Sequence, residues 1–115
     1  MADLTPGGVV SNMARLSQQL EEHTDRLDAA EIDAVNAKLD YEHAYELAFL
    51  AADGPQYVRE VTAKSACHDQ RALMEHALRE VRSIKAHLST LQTRIDVGRS
   101  AWSALKAEIS LEGTR

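Results

Sequence analysis

Mostly apolar residues recur at alternating steps of three and four through the second half of this chain. The run is Met74, Ala77, Val81, Ile84, Leu88, Leu91, Ile95, Gly98, Trp102, Leu105 and Ile109, eleven a/d positions without a skip. A strand alternates every two residues and cannot keep that spacing on one face. The segment therefore predicts a long helix with one continuous face to cover. Backward, the seam extends through Met74 to Gln70, Cys67 and Ala63.

One strong break lies inside the chain, at Asp53-Gly54-Pro55. Glycine permits positive φ, and a helix does not run on into proline. The expected organisation is two helices, from about Ser11 to Ala52 and from about Gln56 to Leu111, joined by a turn near 53–55. Residues 1–11 read as a flexible start with Pro6-Gly7-Gly8 as breakers, 12–111 as one helical domain, and 112–115 as a tail. Helices of these lengths would be roughly 60 and 80 Å long, and such helices seldom stand alone. The predicted fold class is all-α: two long antiparallel helices in a coiled-coil-like hairpin, assembling into a homo-oligomeric bundle or ring.

The first helix carries its own heptad: Met13, Leu16, Leu20, His23, Leu27, Ala30, Ala34, Ala37, Tyr41, Ala44, Ala48, Ala51. Its second half is almost all alanine, which suits a close approach of two backbones. A second stripe, Ile32, Val35, Leu39 and then Phe49 or Leu50, runs beside it. One partner helix cannot cover both stripes, so the pattern predicts self-association. The alternative is a chain that folds back again, at Gly98, into a three-helix bundle. Gly98 costs about 1 kcal/mol in a helix relative to alanine and marks either a kink or a close crossing.

Composition narrows the function. Apolar residues make up 44% and charged residues 27%, so the chain can bury surface. The single cysteine, Cys67, excludes an internal disulfide and fits a reducing cytosol; on the seam it reads as a small buried residue. No run of 18 apolar residues exists and the start lacks the order of a signal peptide, so a cytoplasmic protein with no membrane partner is expected (host-cell cytoplasm if phage-encoded).

Enzyme signatures are absent: no GxGxxG, P-loop, GxSxG or HExxH. Asp40 with His43 is the one near match to a bundle metal motif, and adjacent Cys67 and His68 point to different helix faces. The expectation is no enzyme, no metal and no cofactor.

Charge is more ordered. Residues 1–55 carry three basic and eleven acidic residues, and 56–115 carry ten basic and seven acidic. Beside the seam runs a row of Lys64, Arg71, Leu78, Lys85, Gln92, Arg99 and Lys106, with Arg79 and Arg82 further round. Such a row either pairs with acids of the first helix (Glu31, Asp33, Asp40), setting register, or forms a track for a phosphate backbone. Tyr41, Tyr45 and Phe49 recur every four residues near the turn. Core packing suits Tyr45 and Phe49, and Tyr41 is placed to stack an unpaired base.

The stretch Asn36-Ala37-Lys38-Leu39-Asp40-Tyr41 resembles the Lys-Ala-Arg-Leu-Asp-Tyr stretch of the phage UvsY recombination mediators. The order around it is similar: a polar helical first half, the motif, a glycine-containing loop at 53–55, and a long helix ending in a basic, glycine-bearing segment. The likeness spans roughly Leu27 to Gly113. It implies a small helical protein that assembles into a ring-like homo-oligomer and binds single-stranded DNA. Such a protein displaces the single-strand-binding protein and helps a RecA-like recombinase form its filament. Of the motif's two DNA-binding basic residues, one carries over as Lys38. The other is Asn36 here, which shifts the expected contacts toward the second helix.

The candidate DNA-binding residues are Lys38, Tyr41, Arg71, Arg79, Arg82, Lys85, Arg94 and Arg99. The candidate core or oligomer seam is Leu39, Val81, Ile84, Leu88, Leu91, Ile95, Trp102 and Leu105. The reading from a different class is a structural or adaptor coiled coil that binds another protein's helix.

Overall fold

A computed structural model describes residues 5–113. Among them the protein is all-helical, with no strand: α1 is Pro6–Ala51, α2 is Gln56–Ala66 and α3 is His68–Gly113. No helix among the described residues is long and apolar enough to cross a membrane.

α1 begins five residues before the expected Ser11. Thr5 caps it, its Oγ1 accepting the Gly8 N–H at 3.1 Å, while Pro6 takes the first helical position, where its missing N–H costs nothing. The Pro-Gly-Gly run is thus part of the first turn rather than a break. Of the flexible start expected over 1–11, residues 1–4 lie outside the described residues and 6–11 are helical. At the other end α3 runs to Gly113, so 112–113 of the expected tail are helical and 114–115 lie outside the described residues.

The Asp53-Gly54-Pro55 turn lies where the sequence puts it. Gly54 has φ of 106°, which an L side chain rarely adopts, and Pro55 at φ −61° leads into α2. A clasp holds the turn. The Arg59 guanidinium donates from Nε and Nη2 to the Phe49 carbonyl at 3.3 and 3.2 Å and lies over the Phe49 ring at 4.6 Å. It thereby satisfies one of the last carbonyls of α1 with a charged donor.

The expected single helix over 56–111 is divided at Cys67, whose φ of −105° and ψ of 18° leave the helical well. The hydrogen-bond ladder still runs through it. Cys67 N–H donates to Ala63 O and Arg71 N–H donates to Cys67 O, each at 3.0 Å. No proline or glycine marks this place. The distortion sits where Ala63 and Cys67 are completely buried, at 0% and 1% exposure.

The chain forms two compact units. The terminal unit joins 5–25 of α1 to 85–113 of α3. Leu16, Leu91 and Ile95 form its buried core, with Met13 and Leu20 packed against them and Val9 buried as well. Met13 meets Gly98 while the later Leu16 meets Leu91 and Ile95, so the two segments run antiparallel. Gly98 explains itself here: a Cβ at that position would overlap Met13 Sδ.

The turn unit is 26–84: the rest of α1, all of α2 and the start of α3. Its buried residues are small: Ala30, Ala34, Ala63 and Cys67, with Ile84 the one large aliphatic. Arg26 pairs with Glu80 near one end and Phe49 meets Arg59 near the other, again an antiparallel arrangement. The second stripe of α1 stays outside. Ile32, Val35, Leu39 and Leu50 lie roughly 140–200° round the helix from Ala30. They are 56–72% exposed.

Candidate nucleic-acid interface

The heptad decides which side chains can meet a ligand. The α3 seam turns inward at Ile84, Leu91 and Ile95, which are buried, and at Val81, Leu88, Trp102 and Leu105, which are half-buried. Leu39, grouped with the seam by sequence, is on the outward side of α1. The residues flanking the seam must therefore point to solvent, and all seven candidate cations do: Lys38, Arg71, Arg79, Arg82, Lys85, Arg94 and Arg99 are exposed.

Their engagement differs. Among the described residues, Lys38, Arg71, Arg79, Arg82 and Arg94 have no carboxylate within ion-pair distance. Arg99 makes a local, exposed contact to Asp96 at 3.9 Å, one turn away. A cross-helix pair joins Arg26 to Glu80 at 3.4 Å, both side chains more than half exposed. Neither residue was singled out from sequence; nor was Arg59, which the α1–α2 turn consumes.

In the turn unit, Arg71, Arg79 and Arg82 lie within an arc of about 80° on α3, with Glu75 as the one carboxylate among them. An unpaired guanidinium on a solvated face can take phosphate oxygens two at a time without first breaking an internal pair. On α1 the aromatics form a ladder. Tyr41 and Tyr45 centroids are 6.2 Å apart, and Tyr45 stacks on Phe49 at 6.3 Å. All three are half-buried, so they offer ring edges and partial faces. Tyr41 and Tyr45 share a shallow cleft with Lys64, but Glu42 and Glu46 line it too. That cleft suits an amine or a neutral ring better than a phosphate.

In the terminal unit, Arg94 lines one cleft, with Gln19, His23, His87, Thr90 and Leu91, and Arg99 another, with Val9, Val10, Met13 and Trp102. His23 donates from Nδ1 to the Gln19 carbonyl at 2.9 Å, and its ring meets His87 edge-on at 5.9 Å. Half-buried with its polar atom satisfied, His23 is a packing residue of the heptad. Lys106 sits 5.9 Å from the Trp102 ring, so this member of the basic row leans on the seam. Within each unit the candidate cations are spaced along a helix rather than gathered in one cleft.

Among the described residues, no group of three or more His, Cys, Asp and Glu side chains could hold a metal ion. Comparison with known proteins finds no matching family model, no matching curated protein and no matching solved structure. The functional reading therefore rests on the residues themselves.

Proposed function

We propose that this chain is a non-enzymatic, single-stranded-DNA-binding recombination mediator of the cytoplasm. It works as a homo-oligomer of antiparallel helical hairpins and helps a RecA-like recombinase replace single-strand-binding protein on DNA. The observation that carries the DNA reading is the set of exposed cations with no carboxylate in ion-pair reach among the described residues: Lys38, Arg71, Arg79, Arg82 and Arg94. The likeness at Asn36–Tyr41 supplies the recombination context. Each subunit offers only a few phosphate contacts, so useful affinity comes from several subunits engaging one strand.

Binding of an oligo-dT followed by fluorescence anisotropy tests this. With about four phosphate contacts per subunit and a slope of about −0.7 per contact, affinity falls roughly 50-fold between about 50 and about 200 mM salt. Arg79→Glu with Arg82→Glu abolishes the signal while leaving helicity unchanged. An anisotropy that stays flat at low salt and high protein concentration sinks the DNA reading.

A second reading is favoured by one observation, the outward apolar stripe Ile32, Val35 and Leu39. A structural or adaptor role needs such a surface, whereas DNA binding does not. If no DNA binds to the wild type, and charge reversal at Arg71 and Lys85 costs the oligomer and melts the helices, the adaptor reading stands instead.

A further inference from the structure

The turn unit has two outward sides of unlike character. On α1 the outward side carries Ile32, Val35, Leu39, Leu47 and Leu50, each more than half exposed. From Arg26 to Ala51 the helix has two basic and six acidic residues. Of these, Asp28 and Glu46 fall within about 40° of the stripe centre, and Asp33, Asp40 and Glu42 along its margins.

The α2–α3 side is different. On α2, Tyr57 and Val61 are 70% and 66% exposed, and lie roughly 120–160° round the helix from buried Ala63. Lys64 shares their face. On α3, Arg71, Arg79 and Arg82 lie about 140–160° from buried Ile84 and, among the described residues, pair with no carboxylate. This side is apolar at α2 and net cationic at α3, with three arginines against the single carboxylate of Glu75.

An apolar stripe with acids at its centre and margins cannot be covered well by its own duplicate. Two α1 stripes face to face would bring carboxylates of both copies together in a contact that excludes water, and like charges there are strongly unfavourable. A face with exposed apolar groups and unpaired guanidiniums answers both needs. We infer that the α1 stripe of one copy is covered by the α2–α3 side of a second copy, and not by another α1. Because the two surfaces differ, each copy keeps one of each kind available for a further neighbour. The contact draws Arg71 toward carboxylates of the neighbouring α1 and leaves Arg94, outside this unit, for another anion. This inference takes only self-association from the proposed function and does not depend on DNA.

The test is native mass by light scattering on the full chain and on two variants whose helicity is checked by circular dichroism. One variant breaks the α1 side, Val35→Asp with Leu39→Asp. The other breaks the α2 side, Tyr57→Asp with Val61→Asp. All four positions are solvent-facing, and the single changes Leu39→Lys and Val61→Glu stand in if a double variant loses helicity. The wild type is expected to have at least twice the mass of one chain, with association weakening as salt rises. Each variant alone falls to single-chain mass. An equal mixture of the two regains association, because the intact α2 side of the first meets the intact α1 side of the second.

Three results would overturn the inference: a wild type of single-chain mass; an α2-side variant that still associates, which means α1 pairs with α1; or a mixture that stays at single-chain mass. DNA binding by a wild type that fails these criteria leaves the phosphate track standing. Association as described with no DNA binding removes only the track.

Discussion

The terminal unit and the turn unit are built from the same two heptads, yet they solve burial in opposite ways. The terminal unit interlocks Leu16 with Leu91 and Ile95, supported by Met13 and Leu20. A fully buried leucine or isoleucine contributes about 1.5–3 kcal/mol, so this unit holds itself together through side-chain volume. The turn unit buries alanines, and a buried methyl is worth only about 0.8 kcal/mol. Its larger aliphatics, Ile32, Val35 and Leu39, point the other way. The same amphipathic logic thus gives one region with an internal core and another whose larger aliphatics face solvent. The cations follow suit: among the described residues Arg71, Arg79 and Arg82 form no ion pair.

Three substitutions sharpen or break this contrast. Leu91→Ala empties the terminal core, and a loss of about 3 kcal/mol in urea unfolding is expected, within the range for buried leucines. A loss below about 1 kcal/mol would mean that this core is not the main source of stability. Ala34→Leu tests the turn unit from the other direction. Ala34 is buried, so added methylenes have to force the helices apart, at a cost of about 2 kcal/mol seen in the same unfolding assay. Tolerance of leucine there would show that the alanine packing is loose. Arg26→Ala removes the cross-helix ion pair of the turn unit. Both partners are more than half exposed, so the change stays under about 0.5 kcal/mol and shrinks further in high salt. A larger effect would make electrostatics, rather than small-residue packing, the glue of this unit.

Much of the fold was legible in the residues. The two heptads give the inward faces, because a three–four spacing has no other regular solution. Leu16, Ala30, Ala34, Ile84, Leu91 and Ile95 all lie on them and are buried. The turn was legible because Gly54 needs a φ few residues adopt. The start of α1 was misread, because Pro-Gly-Gly taken alone signals a break; Thr5 before Pro6 is the cap signature that overrides it. Val9 was missed for the same reason, although it extends the heptad four residues back from Met13. At the candidate site, the exposure of the basic residues followed from their heptad positions. Their partners did not: Glu31, Asp33 and Asp40 were equally available on paper. Arg59 was overlooked because its role depends on a carbonyl ten residues away.

Local pattern therefore determined the helical class, the inward face of each helix and the position of the turn, since these depend on spacing and on the conformational range of single residues. Only tertiary packing decided the rest. The second helix is divided at Cys67, where no residue type forbids a helix, and Met13 is set against Gly98, where a Cβ would overlap its Sδ. Packing also separated Arg26, which pairs with Glu80, from Arg71, Arg79 and Arg82, which form no ion pair among the described residues. Such outcomes turn on distances between segments far apart in the chain, and periodicity along one helix carries no information about the register of its neighbour.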